Sequence, residues 1–102
     1  MSQALISVSP MDGEVLWQGV TAGEPEVRKC MESAATAQGA WRSKSIEERT
    51  SIVRRFGAEL TARRTEVSTL ISREVGKLAW DADGEVAAAI AKVETSIQAR
   101  EQ

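Results

Sequence analysis

A chain of 102 residues is one domain or part of one; with one Phe, no Tyr and many alanines among its 42% apolar residues, it predicts a modest core completed by another surface. Thirteen basic against 15 acidic residues leave a net charge of −2, which excludes bulk binding to nucleic acid or to an anionic membrane. A single cysteine excludes an internal disulfide and fits a reducing compartment. No stretch approaches the ~20 apolar residues of a membrane span. The N-terminus lacks the basic region and apolar run of a signal peptide, so the expected location is cytoplasmic.

Residues 1–22 read as a hairpin. Ile6 and Val8 alternate with serines, and Glu14 to Val20 is rich in β-formers. Between them, Pro10-Met11-Asp12-Gly13 is a turn sequence. An isolated two-stranded hairpin is marginal in water, so this one should lie against another part of the fold. Residues 24–42 read as a first helix. Pro25 suits its first turn, and Val27, Met31, Ala34, Ala35, Gln38 and Trp41 follow at helical spacing.

Residues 45–76 form the central stretch, one long helix or a broken one. At its start the Ser45 hydroxyl and the Glu48 carboxylate can each cap the other's backbone N–H. Val53, Phe56, Leu60, Val67 and Leu70 then make one apolar stripe. The stripe weakens at Arg63 and Arg64, and Thr65 offers a cap for a fresh start. Gly76 offers the left-handed residue that commonly ends a helix. Residues 78–100 read as the last helix, with Val86, Ile90, Val93 and Ile97 as its stripe. Either Asp81 or Asp83 caps it, or it begins near Leu78 and tolerates Gly84 at a cost of about 1 kcal/mol. The expected fold class is therefore mainly α: a short N-terminal β-hairpin followed by three or four amphipathic helices.

In this order the segments resemble the N-terminal part of the aldehyde dehydrogenase superfamily. Pro10-Met11-Asp12-Gly13-Glu14-Val15 matches that family's P-x-x-G-E-V hairpin, and Ala34 to Trp41 its alanine-rich helix ending in tryptophan. Ser45-Ile46-Glu47-Glu48-Arg49, Glu74-Val75-Gly76-Lys77 and Glu85-Val86 match three further motifs. Each is weak alone; their order and separations make the signal. Glu14 to Gly19 and Trp80 are most similar to the branch acting on succinylglutamate semialdehyde in arginine catabolism. Leu78 departs from a common proline, and Gly57 stands at a usual alanine position, where it should weaken its helix.

The resemblance implies a partial aldehyde dehydrogenase fold. It also implies a much larger enzyme, with a Rossmann-like domain for NAD or NADP, a nucleophilic cysteine and an activating glutamate. None of that equipment falls in the matched part, so no catalytic, cofactor-binding or metal residue is assigned here. Cys30 does not match the nucleophile's position, and the chain has no histidine to activate it. Asp81, Asp83 and Glu85 alternate like calcium ligands, but the twelfth position from Asp81 is Lys92, which excludes the calcium loop. Gly19, Gly23, Gly76 and Gly84 never form a nucleotide-binding loop.

Arg42, Lys44, Arg49, Arg54, Arg55, Arg63 and Arg64 outnumber Glu47, Glu48 and Glu59. The set reads as a solvated face with an Arg55–Glu59 pair rather than a nucleic-acid site, because stacking aromatics are scarce. Trp17, Trp41 and Trp80 read as core or interface residues. The expected partners are a second copy, paired through Val53/Phe56/Leu60 and Val86/Ile90/Val93/Ile97, or the missing catalytic remainder.

Overall fold

The computed structural model describes residues 3–101, and Glu101 by its backbone alone. Two antiparallel strands, β1 (Ala4–Val8) and β2 (Val15–Val20), are followed by four helices: α1 (Glu24–Ser43), α2 (Ile46–Ala62), α3 (Arg64–Val75) and α4 (Ala79–Glu101). The fold is the mainly helical one that the sequence predicts.

The strands pair Ala4 with Val20 and Ser7 with Trp17, and the register slips between Ser7 and Val8. The turn is held from within. Ser9 N–H donates to the Glu14 carbonyl at 2.8 Å, and Gly13 N–H donates to the Ser9 carbonyl at 2.9 Å. Glu14 N–H donates to Asp12 Oδ1 at 3.0 Å. That bond, helped by one with Ser9, holds the Asp12 carboxyl below its ordinary pKa. Gly13 takes a φ of 78°, which its missing Cβ permits.

The hairpin does lie against something: the C-terminal end of α3. Ser7 Oγ donates to Glu74 Oε1 at 2.7 Å, Arg73 is paired with Glu14, and Pro10 sits over Gly76.

Helix α1 begins at Gly23, whose N–H donates to Glu26 Oε2 at 2.9 Å. Helix α2 begins on the reciprocal pair legible in its sequence. Glu48 N–H donates to Ser45 Oγ at 3.1 Å, and Ser45 N–H donates to Glu48 Oε2 at 2.7 Å. The Ser45 N–H bond is the main reason the Glu48 carboxyl lies below its ordinary pKa.

The central stretch is broken rather than continuous. The break falls at Arg63, which leaves the helical conformation with φ −103° and ψ 15°. Thr65 does not cap the new helix: it lies inside α3, where its carbonyl accepts from Ser68 Oγ at 3.1 Å. Gly76 ends α3 in the left-handed conformation. Helix α4 starts at Ala79, so neither Asp81 nor Asp83 is its cap, and Gly84 lies within it.

Helix α4 packs against both α3 and α2. Among the described residues, Ala82 and Val86 are the buried apolar side chains, and Gly57 of α2 and Ser68 of α3 are buried as well. Gly57 serves this crossing. A Cβ there would meet the Val93 methyls at 3.3–3.4 Å, so its absence lets α2 and α4 approach. Gly57 thus has a packing role that its helix propensity alone does not reveal.

The central stripe is also rotated from its expected position. Val53, Leu60, Val67 and Ile71 are half-buried, while Phe56 and Leu70 face outward. Gly57, not Phe56, occupies the inward place between Val53 and Leu60.

Every residue of α1 is exposed. The chain accordingly has a radius of gyration of 17.7 Å, where a compact chain of this length has about 13 Å.

Candidate functional site

The residues that carry chemistry are dispersed. Cys30 is exposed on α1, away from the helical core. The three alternating acids are each committed to a cation. Asp83 accepts a two-point bond from Arg64, at 2.8 Å from Nε and 2.6 Å from Nη2. Asp81 and Glu85 both reach Lys77 Nζ. The Arg64 bond, with the charge behind it, holds the Asp83 carboxyl below its ordinary pKa. Lys77 is raised above its ordinary value, chiefly by its hydrogen bond to Glu85.

Gly76-Lys77 does not suit a dinucleotide. A pyrophosphate seeks the N-terminal end of a helix, where free N–H groups and the dipole favour negative charge. Gly76 caps the opposite end of α3, with Pro10 against it, and Lys77 already serves two carboxylates. Gly23 does stand at a helix start, but its N–H is taken by Glu26. Neither of these glycine positions is arranged to hold the pyrophosphate of NAD or NADP.

The basic residues of α2 and α3 are largely paired across or along helices. Arg54 donates to Glu94 of α4 at 3.2 and 2.8 Å, and Arg63 donates to Glu66 at 3.0 and 2.8 Å. These bonds lower the pKa of Glu94 and of Glu66. They tie α2 to α4 and brace the break, a structural use of charge that composition does not reveal.

What remains open is apolar. Trp17 lies against Gly19, where a Cβ would come within 2.7 Å of the indole ring, and its outer face is free. Trp80 is 74% exposed and Phe56 62%. An open groove of about 390 Å³ runs where α1, α2 and α4 meet. Trp41, Ile46, Val53 and Ile97 form its apolar wall, and Arg49 and Arg100 bring guanidinium groups to it. Arg49 Nε is buried with no acceptor.

The exposed area has a magnitude that decides its meaning. The chain exposes 8114 Å², whereas a compact protein of its 11.0 kDa exposes about 5,600 Å². The surplus of about 2,500 Å² is roughly three times what one partner buries in a standard interface. A compact fold of this mass would not leave that surface open.

Comparison with known proteins agrees with that geometry. The model of the aldehyde dehydrogenase family matches residues 1–102. N-succinylglutamate 5-semialdehyde dehydrogenase of Paraburkholderia xenovorans is 42% identical over 96 residues, 94% of this chain and 20% of that protein. Its counterpart in Chromobacterium violaceum is 37% identical over 97 residues, 95% of this chain and 20% of that protein. An NAD-dependent benzaldehyde dehydrogenase from Corynebacterium glutamicum shares the fold, with a TM-score of 0.88 over 93% of this chain and 21% of its own, at 24% identity. The chain thus spans about a fifth of the length of the curated relatives it matches. Matched from end to end by the family model, this chain belongs to the aldehyde dehydrogenase family.

Proposed function

We propose that this chain is the N-terminal scaffold of an NAD(P)-dependent aldehyde dehydrogenase of the succinylglutamate semialdehyde type, and that it does not catalyse the reaction alone. The observation that carries the reading is the uncovered surface: about 2,500 Å² beyond a compact fold, on a chain that matches a fifth of its relatives. The inherited reaction is oxidation of an aldehyde to an acid in the cytoplasm, within arginine catabolism. The scaffold's part in it is to present the groove, α1 and the hairpin to the domains that hold cofactor and nucleophile. NAD and NADP belong to those domains.

The test is a graft. This chain, put in place of the matching segment of the Paraburkholderia enzyme, should give a folded protein that reduces NAD(P) with succinylglutamate semialdehyde. The isolated chain should give no reduction under the same conditions. Turnover by the isolated chain, or a graft that fails to fold, would contradict the reading.

The outward face of Phe56 favours a second reading, in which the chain persists as a self-associating helical module. In that reading α2 supplies the contact. The α4 stripe has little to offer, since Val86 is buried and Ile90, Val93 and Ile97 are half-buried within the chain. Phe56→Asp should then disperse the oligomer seen in sedimentation equilibrium.

A further inference from the structure

The groove between α1, α2 and α4 combines an apolar wall with two guanidinium groups. Among the described residues, neither Arg49 nor Arg100 has an ion-pair partner, although other arginines of α2 and α3 do. Arg49 also buries its Nε–H with no acceptor. Buried donors are almost always satisfied by a protein group or an ordered water, so the Arg49 Nε–H is a donor with capacity for an incoming acceptor. An arginine fork is best completed by a planar carboxylate, which it binds through two parallel hydrogen bonds. The walls of Trp41, Ile46, Val53 and Ile97 ask for aliphatic or aromatic groups on either side of that carboxylate.

We infer that this groove is the docking site for an apolar segment bearing an Asp or Glu, contributed by the part of the enzyme outside this chain, with its carboxylate against Arg49 and Arg100. The inference rests on the scaffold reading above. Charge complementarity chooses the acid. The size of the uncovered surface chooses the remainder of the enzyme over a second copy, because a standard interface would leave most of that surface open.

The experiment compares the same variants in two settings, the grafted full-length enzyme and the isolated chain. Arg49→Gln removes the fork, and Arg49→Lys keeps the charge without the two-point geometry. Ser96→Glu, also in the groove wall, offers the arginines a carboxylate of their own and repels the incoming one. In the graft, Arg49→Gln and Ser96→Glu should each speed thermal inactivation about tenfold, as loss of a charged hydrogen bond does, with Arg49→Lys in between. In the isolated chain, urea unfolding should show no loss for either variant. Equal effects in both settings, or none in either, would overturn the inference while leaving the scaffold reading intact. An isolated chain that dimerises, and that Arg49→Gln returns to monomer, would assign the groove to a second copy and overturn it as well. A graft without substitutions that fails to fold would defeat the scaffold reading, and the inference with it.

Discussion

Gly76 and Pro10 hold the hairpin to the helices. Gly76 takes a φ of 71°, and a Cβ on it would stand 2.9 Å from Pro10 Cγ. Two separate demands thus fall on one glycine: a left-handed helix end and a close approach by a ring from 66 residues earlier. Gly76→Ala should destabilise the chain by roughly 1–3 kcal/mol in urea unfolding, the range for a strained left-handed residue, with the clash added. Pro10→Ala on top of it should recover the part due to the clash and leave the part due to strain.

Gly84 makes the opposite case. It lies inside α4 at an ordinary helical φ, and a Cβ there meets nothing within 4 Å. Gly84→Ala should stabilise the isolated chain by about 0.5–1 kcal/mol, through helix propensity and a less flexible unfolded state. Gly57→Leu should do the reverse, costing roughly 1–3 kcal/mol by forcing α2 away from Val93. Urea midpoints of the two variants measured side by side check both.

Acid should loosen the helices in a definite window. Asp83 titrates below its ordinary 3.8 because of Arg64, and Glu94 and Glu66 below their ordinary 4.5 because of Arg54 and Arg63. A carboxyl depressed in the folded state contributes stability that is complete above its unfolded pKa and is lost as pH falls through the folded one. Stability should therefore hold from neutral pH down to about 4.5 and decline below it. Asp83→Asn should make that decline shallower, which a series of thermal melts across acid pH would show.

Ser45 is the simplest local test. Its hydroxyl satisfies one free N–H at the start of α2, and Glu48 satisfies another. Ser45→Ala should cost about 1 kcal/mol in urea unfolding. Ser45→Asp, which restores an acceptor and adds favourable charge at the helix start, should recover most of it.

The sequence was legible where the governing forces are local. The Ser45/Glu48 box, Pro25 in a first turn and Gly76 at a helix end act within a few residues, and the structure places each as read. It was less legible where packing across helices decides. Spacing put Phe56 on the inward stripe, but the close crossing with Val93 turned Gly57 inward instead. Thr65 had the chemistry of a cap, yet the chain broke at Arg63, which also pairs with Glu66. The groove could not be read at all. It joins Trp41, Arg49 and Arg100, residues from three helices that only the fold brings together.

Hydrogen exchange along α1 tests the central claim most directly. Every residue of this 20-residue helix is exposed, whereas most helical stability in proteins comes from tertiary packing of an amphipathic face. If the chain is a scaffold awaiting its enzyme, the α1 amides should exchange fast in the isolated chain and orders of magnitude more slowly in the grafted full-length protein. Equal protection of α1 in both would contradict the account, because the chain would then have covered that helix by itself.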